Sequence, residues 1–188
     1  MITASAYDTH VQKLFDRMTR LHAALYGAGI PYRIIGGMAV FLQVSERDAG
    51  KARLTRDVDV AVNRTDLKRI GAAAEPFGFR YRHVAGVDML LDNAEPKASS
   101  GVHMVFIGEK VRPEYTEPIP DFSEATRTAE GNFLAPVADL VRMKLTSFRL
   151  KDKVHVQDMD SVGLITPEIE NSLPAVLRAR LSEVRASE

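Results

Sequence analysis

The chain has 188 residues, enough for one substantial hydrophobic core with a small helical appendage but not for two large domains. Lysine plus arginine and aspartate plus glutamate number 25 each, so no overall field draws the protein to nucleic acid, and any RNA contact must come from a local patch. The absence of cysteine excludes disulfides, thiolate zinc sites and a cysteine nucleophile and fits a reducing, cytoplasmic setting; no apolar run approaches the ~20 residues of a membrane span, and no signal-peptide pattern opens the chain.

From about Tyr7 to Tyr26, apolar Val11, Leu14, Phe15, Met18, Leu21 and Leu25 recur at three- and four-residue spacing, which predicts an amphipathic helix ended by Gly27 or Gly29. A strand, Tyr32–Ile35, runs into Gly36-Gly37 and an apolar helical stretch from Met38 to Val44. A charged link, Ser45–Arg56, leads to a second strand that opens with Asp57-Val58-Asp59-Val60-Ala61-Val62. Asn63 or Thr65 can cap a helix reaching about Phe77, and Phe79–His83 with Val87–Leu91 form a hairpin turning at Ala85-Gly86. A further strand, Val102–Ile107, completes a mixed sheet. Three prolines between Lys110 and Pro120 forbid a regular helix or central strand and predict a long loop, either a surface connection or a cover over an acceptor.

The last third is helical. Pro136 opens a helix predicted to run to Leu150, with Val137, Leu140, Val141, Leu145 and Phe148 on one stripe and Lys144 inside that stripe's arc. A lysine there either snorkels to the surface or reaches a cleft as a compact cation. Thr166-Pro167 caps a later segment, and Leu173–Val184 forms a terminal helix whose Arg178, Arg180 and Arg185 are expected on a mostly solvated face. The fold class is thus α/β (α+β), a mixed sheet flanked by helices. The core spans 1–122, and a C-terminal helical subdomain, 123–188, packs on it.

Chemistry concentrates in two places. Alternation along a strand sends Val58, Val60 and Val62 to one face and Asp57 and Asp59 to the other, with Cα atoms roughly 7 Å apart, which suits a hard divalent cation such as Mg²⁺. Glycines at a strand–helix junction let backbone N–H groups approach phosphate. Alone, the aspartates fit any half-exposed strand and the glycines any turn; their ordered succession describes a metal-and-triphosphate site.

The ordered motif resembles the nucleotidyltransferase superfamily of polymerase-β-like fold, and within it the AbiEii-type toxin group, over about Tyr32 to Asp158. The resemblance implies that Gly36 and Gly37 hold nucleotide phosphates and that Asp57 and Asp59 bind Mg²⁺ or Mn²⁺. Arg53 and Thr55 match an Arg-x-Thr-x-Asp-x-Asp lead-in, and Met38 stands where many relatives have serine. Met143–Asp158 looks like the group's Lys-Leu…Arg…Asp…Asp-Leu signature, which implies a phosphate-binding Lys144 and a site role for Asp158, with Arg149, Asp152 and His155 structural or acceptor-facing. The superfamily's third carboxylate position falls by pattern on His103, an imidazole able to accept a proton or ligate a transition metal; Asp88 and Glu109 are the fallback carboxylates.

The expected reaction is transfer of a nucleoside monophosphate from an NTP to a hydroxyl. The acceptor is tRNA if the chain is a toxin restrained by a partner antitoxin, or a small molecule of antibiotic type. A non-catalytic nucleotide-binding module is the rival from another class.

Overall fold

The valines of the Asp-x-Asp segment build the centre of the molecule. In the computed structural model, which describes residues 4–121 and 124–187 and the side chains from residue 9 onward, Val58–Val62 form the middle strand, β2, and Val58, Val60, Ala61 and Val62 are buried. On one side lies β1, Tyr32–Ile35, antiparallel, with Ile35 opposite Asp59. On the other lies β5, Val102–Phe106, parallel, with His103 opposite Asp59. The register therefore sets the end of β1, Asp59 and His103 abreast.

Outside β5 come β4, Val87–Asp92, and β3, Phe79–Val84, joined by a two-residue turn in which Ala85 and Gly86 both carry positive φ, 50° and 78°. That is the primed turn whose twist matches a hairpin. Beyond β1, two short strands, β6 (Thr126–Arg127) and β7 (Phe133–Leu134), complete, among the described residues, a seven-stranded mixed sheet of order β3-β4-β5-β2-β1-β7-β6. Strands of two residues carry no alternation, and nothing in the sequence pattern predicted them.

Residues of one parity along the strands face the first helix, α1 (Ala4–Gly27), which buries Leu14, Met18, Leu21 and Leu25 as its spacing predicts. Arg20 of α1 donates to Asp92 of β4 at 2.5 Å, with Arg17 beside it at 3.6 Å, so the helix is also tied to the sheet by a buried carboxylate. The predicted helix after Asn63 is three pieces: a 3₁₀ turn, α3 (Leu67–Ala74), and a second 3₁₀ turn closed by Gly78 at φ 83°. No side-chain hydrogen bond from Asn63 caps it.

Helix α2 (Gly36–Ser45), which starts at the end of β1, packs against β1 and β2 and against α4 (Val137–Ser147) and α5 (Leu150–Ser161). The predicted single helix to Leu150 is broken: Phe148 adopts φ 47°, its N–H bonds to the Lys144 carbonyl, and Leu150 starts a new helix. The break is stabilised by Asp152, which accepts from Ser147 Oγ at 2.8 Å and from the Arg149 N–H at 3.3 Å, and by cations over the Phe148 ring, Lys153 at 4.2 Å and Arg180 at 5.0 Å. Thr166 caps α6 (Pro167–Ser172) by accepting from the Ile169 N–H, as its place before proline predicts.

The arginines of the terminal helix α7 (Ala175–Ala186) are not simply solvated. Arg180 donates to the Leu145 and Thr146 carbonyls at 2.7 and 2.9 Å, closing the C-terminus of α4, and Arg185 bridges Asp160 and Glu170 at 2.7 and 2.8 Å. Among the described residues no helix is long and apolar enough to cross a membrane.

Candidate active site

The strand β1 ends against the aspartate strand, and only glycine fits at the junction. Gly36 has φ 69°, a region in which a Cβ is strained, and a Cβ there would lie 2.1 Å from Asp59 Oδ2. The neighbouring Gly37 makes room for a different group: its absent Cβ leaves space for Thr55 Oγ1, 2.9 Å away, and Thr55 Oγ1 donates to Asp57 Oδ1 at 2.9 Å. The two glycines therefore seat the two aspartates, Gly36 directly and Gly37 through Thr55. His10 of α1 fixes the same lead-in by bonding through Nε2 to the Thr55 carbonyl at 3.0 Å.

Asp57 and Asp59 share their side of the sheet with His103, whose Nδ1 lies 3.6 Å from Asp57 Oδ2 and 3.4 Å from Asp59 Oδ1. Ligand atoms of the three residues all lie within 4.8 Å of one another, and all three side chains are partly exposed. Hydrogen bonding to Asp59 raises the His103 pKa above its ordinary value against the opposing effect of burial. Two carboxylates and an imidazole converging at one point form a donor set that fits a divalent cation.

These groups floor a cleft of about 560 Å³. Its remaining walls come from the α4–α5 corner, the β3–β4 turn and the loop after β5. That loop, predicted from its prolines, is anchored at both ends by the Gly108 N–H to the Ile119 carbonyl and the Ile119 N–H to the Glu109 carbonyl, each 2.9 Å, which turns Tyr115 and Glu117 to the cleft.

Lys144 reaches this cleft instead of snorkelling outward. Its side chain is 8% exposed, and Nζ lies 3.2 Å from Asp152 Oδ1. Burial lowers the Lys144 pKa while Asp152 works against that effect. Burial alone would push the Asp152 carboxyl up, but the Arg149 hydrogen bond, the Lys144 charge and the Ser147 hydrogen bond outweigh it and hold the group down at about 2. Asp152 is thus a permanent anion beneath the corner that fixes Lys144 and Arg149 at the cleft wall. Among its neighbours, His155 packs near Gly37 with a buried Nδ1 that has no hydrogen-bond partner among the described residues, and burial together with the Lys144 charge lowers its pKa to about 4.

Arg53 and Asp158 lie apart from these groups. Arg53 Nε donates to both Asp158 oxygens at 3.0 and 2.9 Å, and the pair lines a shallow hollow with Gly50, Lys51 and Ser161, away from the cleft walls. Their contact joins the interstrand link to α5. The fallback carboxylates are also accounted for. Asp88 pairs with Met104 in register, one residue off the His103 position, so it faces the opposite side of the sheet, where Tyr81 and His83 bond it at 2.6 and 2.8 Å. Glu109 forms a two-bond fork with Arg64, both contacts 2.6 Å. Charged cleft residues that the sequence did not single out are Arg112, Glu117 and Lys151. Isolated charges in loops and on helix ends carry no pattern that separates a cleft wall from a solvated surface.

No family model matches the chain, and no curated protein matches it. Solved structures do resemble it. A nucleotidyltransferase-like antigenic protein from Paracoccidioides brasiliensis aligns at TM-score 0.61 with 20% identity over 91% of this chain and 86% of that one. The antibiotic-resistance factor ANT(2'')-Ia aligns in its solution structure at TM-score 0.56 with 15% identity over 95% of both chains. Its crystal structure in complex with adenylyl-2''-tobramycin aligns at TM-score 0.53 with 14% identity over 87% of this chain and 94% of that one. The chain therefore has the fold of the nucleotidyltransferases.

Proposed function

We propose that the protein transfers a nucleoside monophosphate from an NTP to a hydroxyl acceptor, using a divalent ion at Asp57 and Asp59. The observation that carries this reading is the seating of Asp59 against a glycine that must lack a Cβ, beside Asp57 and His103 and across one cleft from Lys144. A bound cation would supply Lewis-acid polarisation of the α-phosphate and neutralise charge on the departing pyrophosphate. Lys144 and Arg149 offer fixed positive charge for the β- and γ-phosphates, and Asp152 beneath them prevents their reorganisation.

In the step itself the acceptor oxygen forms a bond to the α-phosphorus, and the bond from that phosphorus to the β-phosphate bridging oxygen breaks. The electron pair leaves on pyrophosphate, and the hydroxyl proton passes to a carboxylate of the aspartate pair.

A small hydroxylated acceptor is one class that this reading takes. A cleft of about 560 Å³ lies in the range of small-molecule sites, and the chain has no excess of basic residues for RNA. ANT(2'')-Ia, solved with adenylyl-2''-tobramycin, supports the same class by analogy. The AbiEii resemblance carries the other reading, tRNA as acceptor and an antitoxin as partner. Expression that arrests growth only when Asp57 and Asp59 are intact would favour it.

The test is calorimetric titration with each NTP, with and without Mg²⁺ or Mn²⁺, beside Asp57→Ala/Asp59→Ala. Metal-dependent binding, lost in the double variant, is expected, followed by pyrophosphate release when labelled NTP meets the right member of a panel of hydroxylated small molecules and total tRNA. A folded protein that binds no NTP sinks the proposal, and binding with no release on any acceptor reduces it to a nucleotide-binding module.

A further inference from the structure

The imidazole in the aspartate cluster is held in one tautomer. His103 Nε2 lies 2.9 Å from the carbonyl oxygen of Ala98, in the 3₁₀ turn that precedes β5. A carbonyl only accepts, so Nε2 carries the hydrogen, and in the neutral ring the lone pair resides on Nδ1. Nδ1 is the atom directed at the carboxylates, 3.4 Å from Asp59 and 3.6 Å from Asp57. Donors bound cis to one ion at ~2.1 Å lie about 3 Å apart, so a small closing movement brings the three atoms to a common centre. A ring N–H anchored to a backbone carbonyl, with the other nitrogen left as donor, is the support that metal-ligating histidines use.

The same geometry argues against a role as proton acceptor. A base must aim its lone pair at the attacking hydroxyl, whereas the lone pair of His103 is aimed between two carboxylates that themselves require a cation.

Resting on the metal-dependent reading above, we propose that His103 Nδ1 is the third protein ligand of the Asp57–Asp59 site and biases it from Mg²⁺ toward a nitrogen-accepting transition ion such as Mn²⁺ or Co²⁺. Imidazole is a good ligand for first-row transition ions, while Mg²⁺ favours oxygen, so replacing a carboxylate by this ring lowers Mg²⁺ affinity more than that of Mn²⁺. It also removes one negative charge, which leaves the loaded site less anionic toward a triphosphate.

The test is spectroscopic and needs neither substrate nor turnover. In protein loaded with Mn²⁺ alone, electron spin-echo modulation reports a directly bound imidazole nitrogen in the wild type and none in His103→Asp. Titration with Mn²⁺ and with Mg²⁺ gives an affinity ratio expected to fall at least tenfold in His103→Asp. The wild-type nitrogen signal stands even if that variant fails to fold. Absence of nitrogen coupling in wild type overturns the inference, as does a ratio unchanged in folded His103→Asp. It then fails alone if Asp57→Ala/Asp59→Ala still abolishes Mn²⁺ binding; if that variant binds Mn²⁺ as wild type does, the metal-dependent reading fails as well.

Discussion

Gly36 is the residue on which the site geometry turns, because two separate constraints meet there. Its φ of 69° strains any side chain, and a Cβ would overlap Asp59 Oδ2 at 2.1 Å. Gly37 has only the second kind of constraint, with Thr55 Oγ1 at 2.9 Å and no positive φ. Gly36→Ala is therefore expected to destabilise the fold by about 1–3 kcal/mol and to weaken Mn²⁺ binding more than tenfold as Asp59 is displaced. Gly37→Ala should act more mildly, through the Thr55–Asp57 hydrogen bond, and Thr55→Val should reproduce its effect on metal affinity without its steric cost. Thermal unfolding and Mn²⁺ titration of the three variants give the order; equal losses for both glycines would show that the Asp59 contact is not decisive.

At the scale of elements, the α4–α5 corner joins a fold feature to a site feature through one buried carboxylate. Asp152 is fully buried and holds Lys144, Arg149 and Ser147 at 3.2, 2.7 and 2.8 Å. Removing it in Asp152→Ala leaves the Lys144 charge buried without a partner, so a loss of about 3–5 kcal/mol is expected. Lys144→Met/Asp152→Leu removes both charges and should recover at least half of that stability by chemical denaturation, yet bind NTP more weakly than wild type because the Lys144 cation facing the phosphates is gone. Recovery of both properties would show that Lys144 serves the fold alone. This corner also marks where the sequence stops being legible. The order of the five longer strands and of the helices between them, the hairpin turn and the Gly-Gly/Asp-x-Asp succession follow from local periodicity and turn chemistry. Phe148 does not: its apolar side chain continues the stripe of Leu140, Val141 and Leu145, and its left-handed backbone is decided by Asp152 and by Arg180 from another helix. Likewise Arg53 and Asp158 lie 105 positions apart, and no local pattern announces that they bond each other at the edge of α5. His103 was legible as a strand residue facing the aspartates; its tautomer, set by the carbonyl of Ala98 in a turn, was not.

For the molecule as a whole, the same packing that builds the site makes stability depend on pH from the acid side. Folding lowers the His155 pKa from its ordinary 6.5 to about 4, chiefly by burial and then by the Lys144 charge. Between these values the unfolded chain takes up a proton that the folded ring refuses, so stability is highest above about 6.5 and falls as pH drops toward 4. Partial exposure of the ring reduces the full linkage to about 2 kcal/mol. Below pH ~4 the Asp152 carboxyl continues the loss: held at about 2, it contributes stability that is present above its ordinary value near 3.8 and disappears as pH falls through the folded value. His103 acts in the opposite sense, since a raised pKa gives stability present below its ordinary value and lost as pH rises through the folded one. His155→Phe removes the first term while filling the space beside Gly37 with a ring of similar size. Chemical denaturation across pH 4–7 is expected to give a slope for His155→Phe at least 1 kcal/mol smaller over that range than for wild type, with the loss below pH ~4 retained in both. Identical slopes would place the acid sensitivity elsewhere than at the ring buried behind the glycine pair.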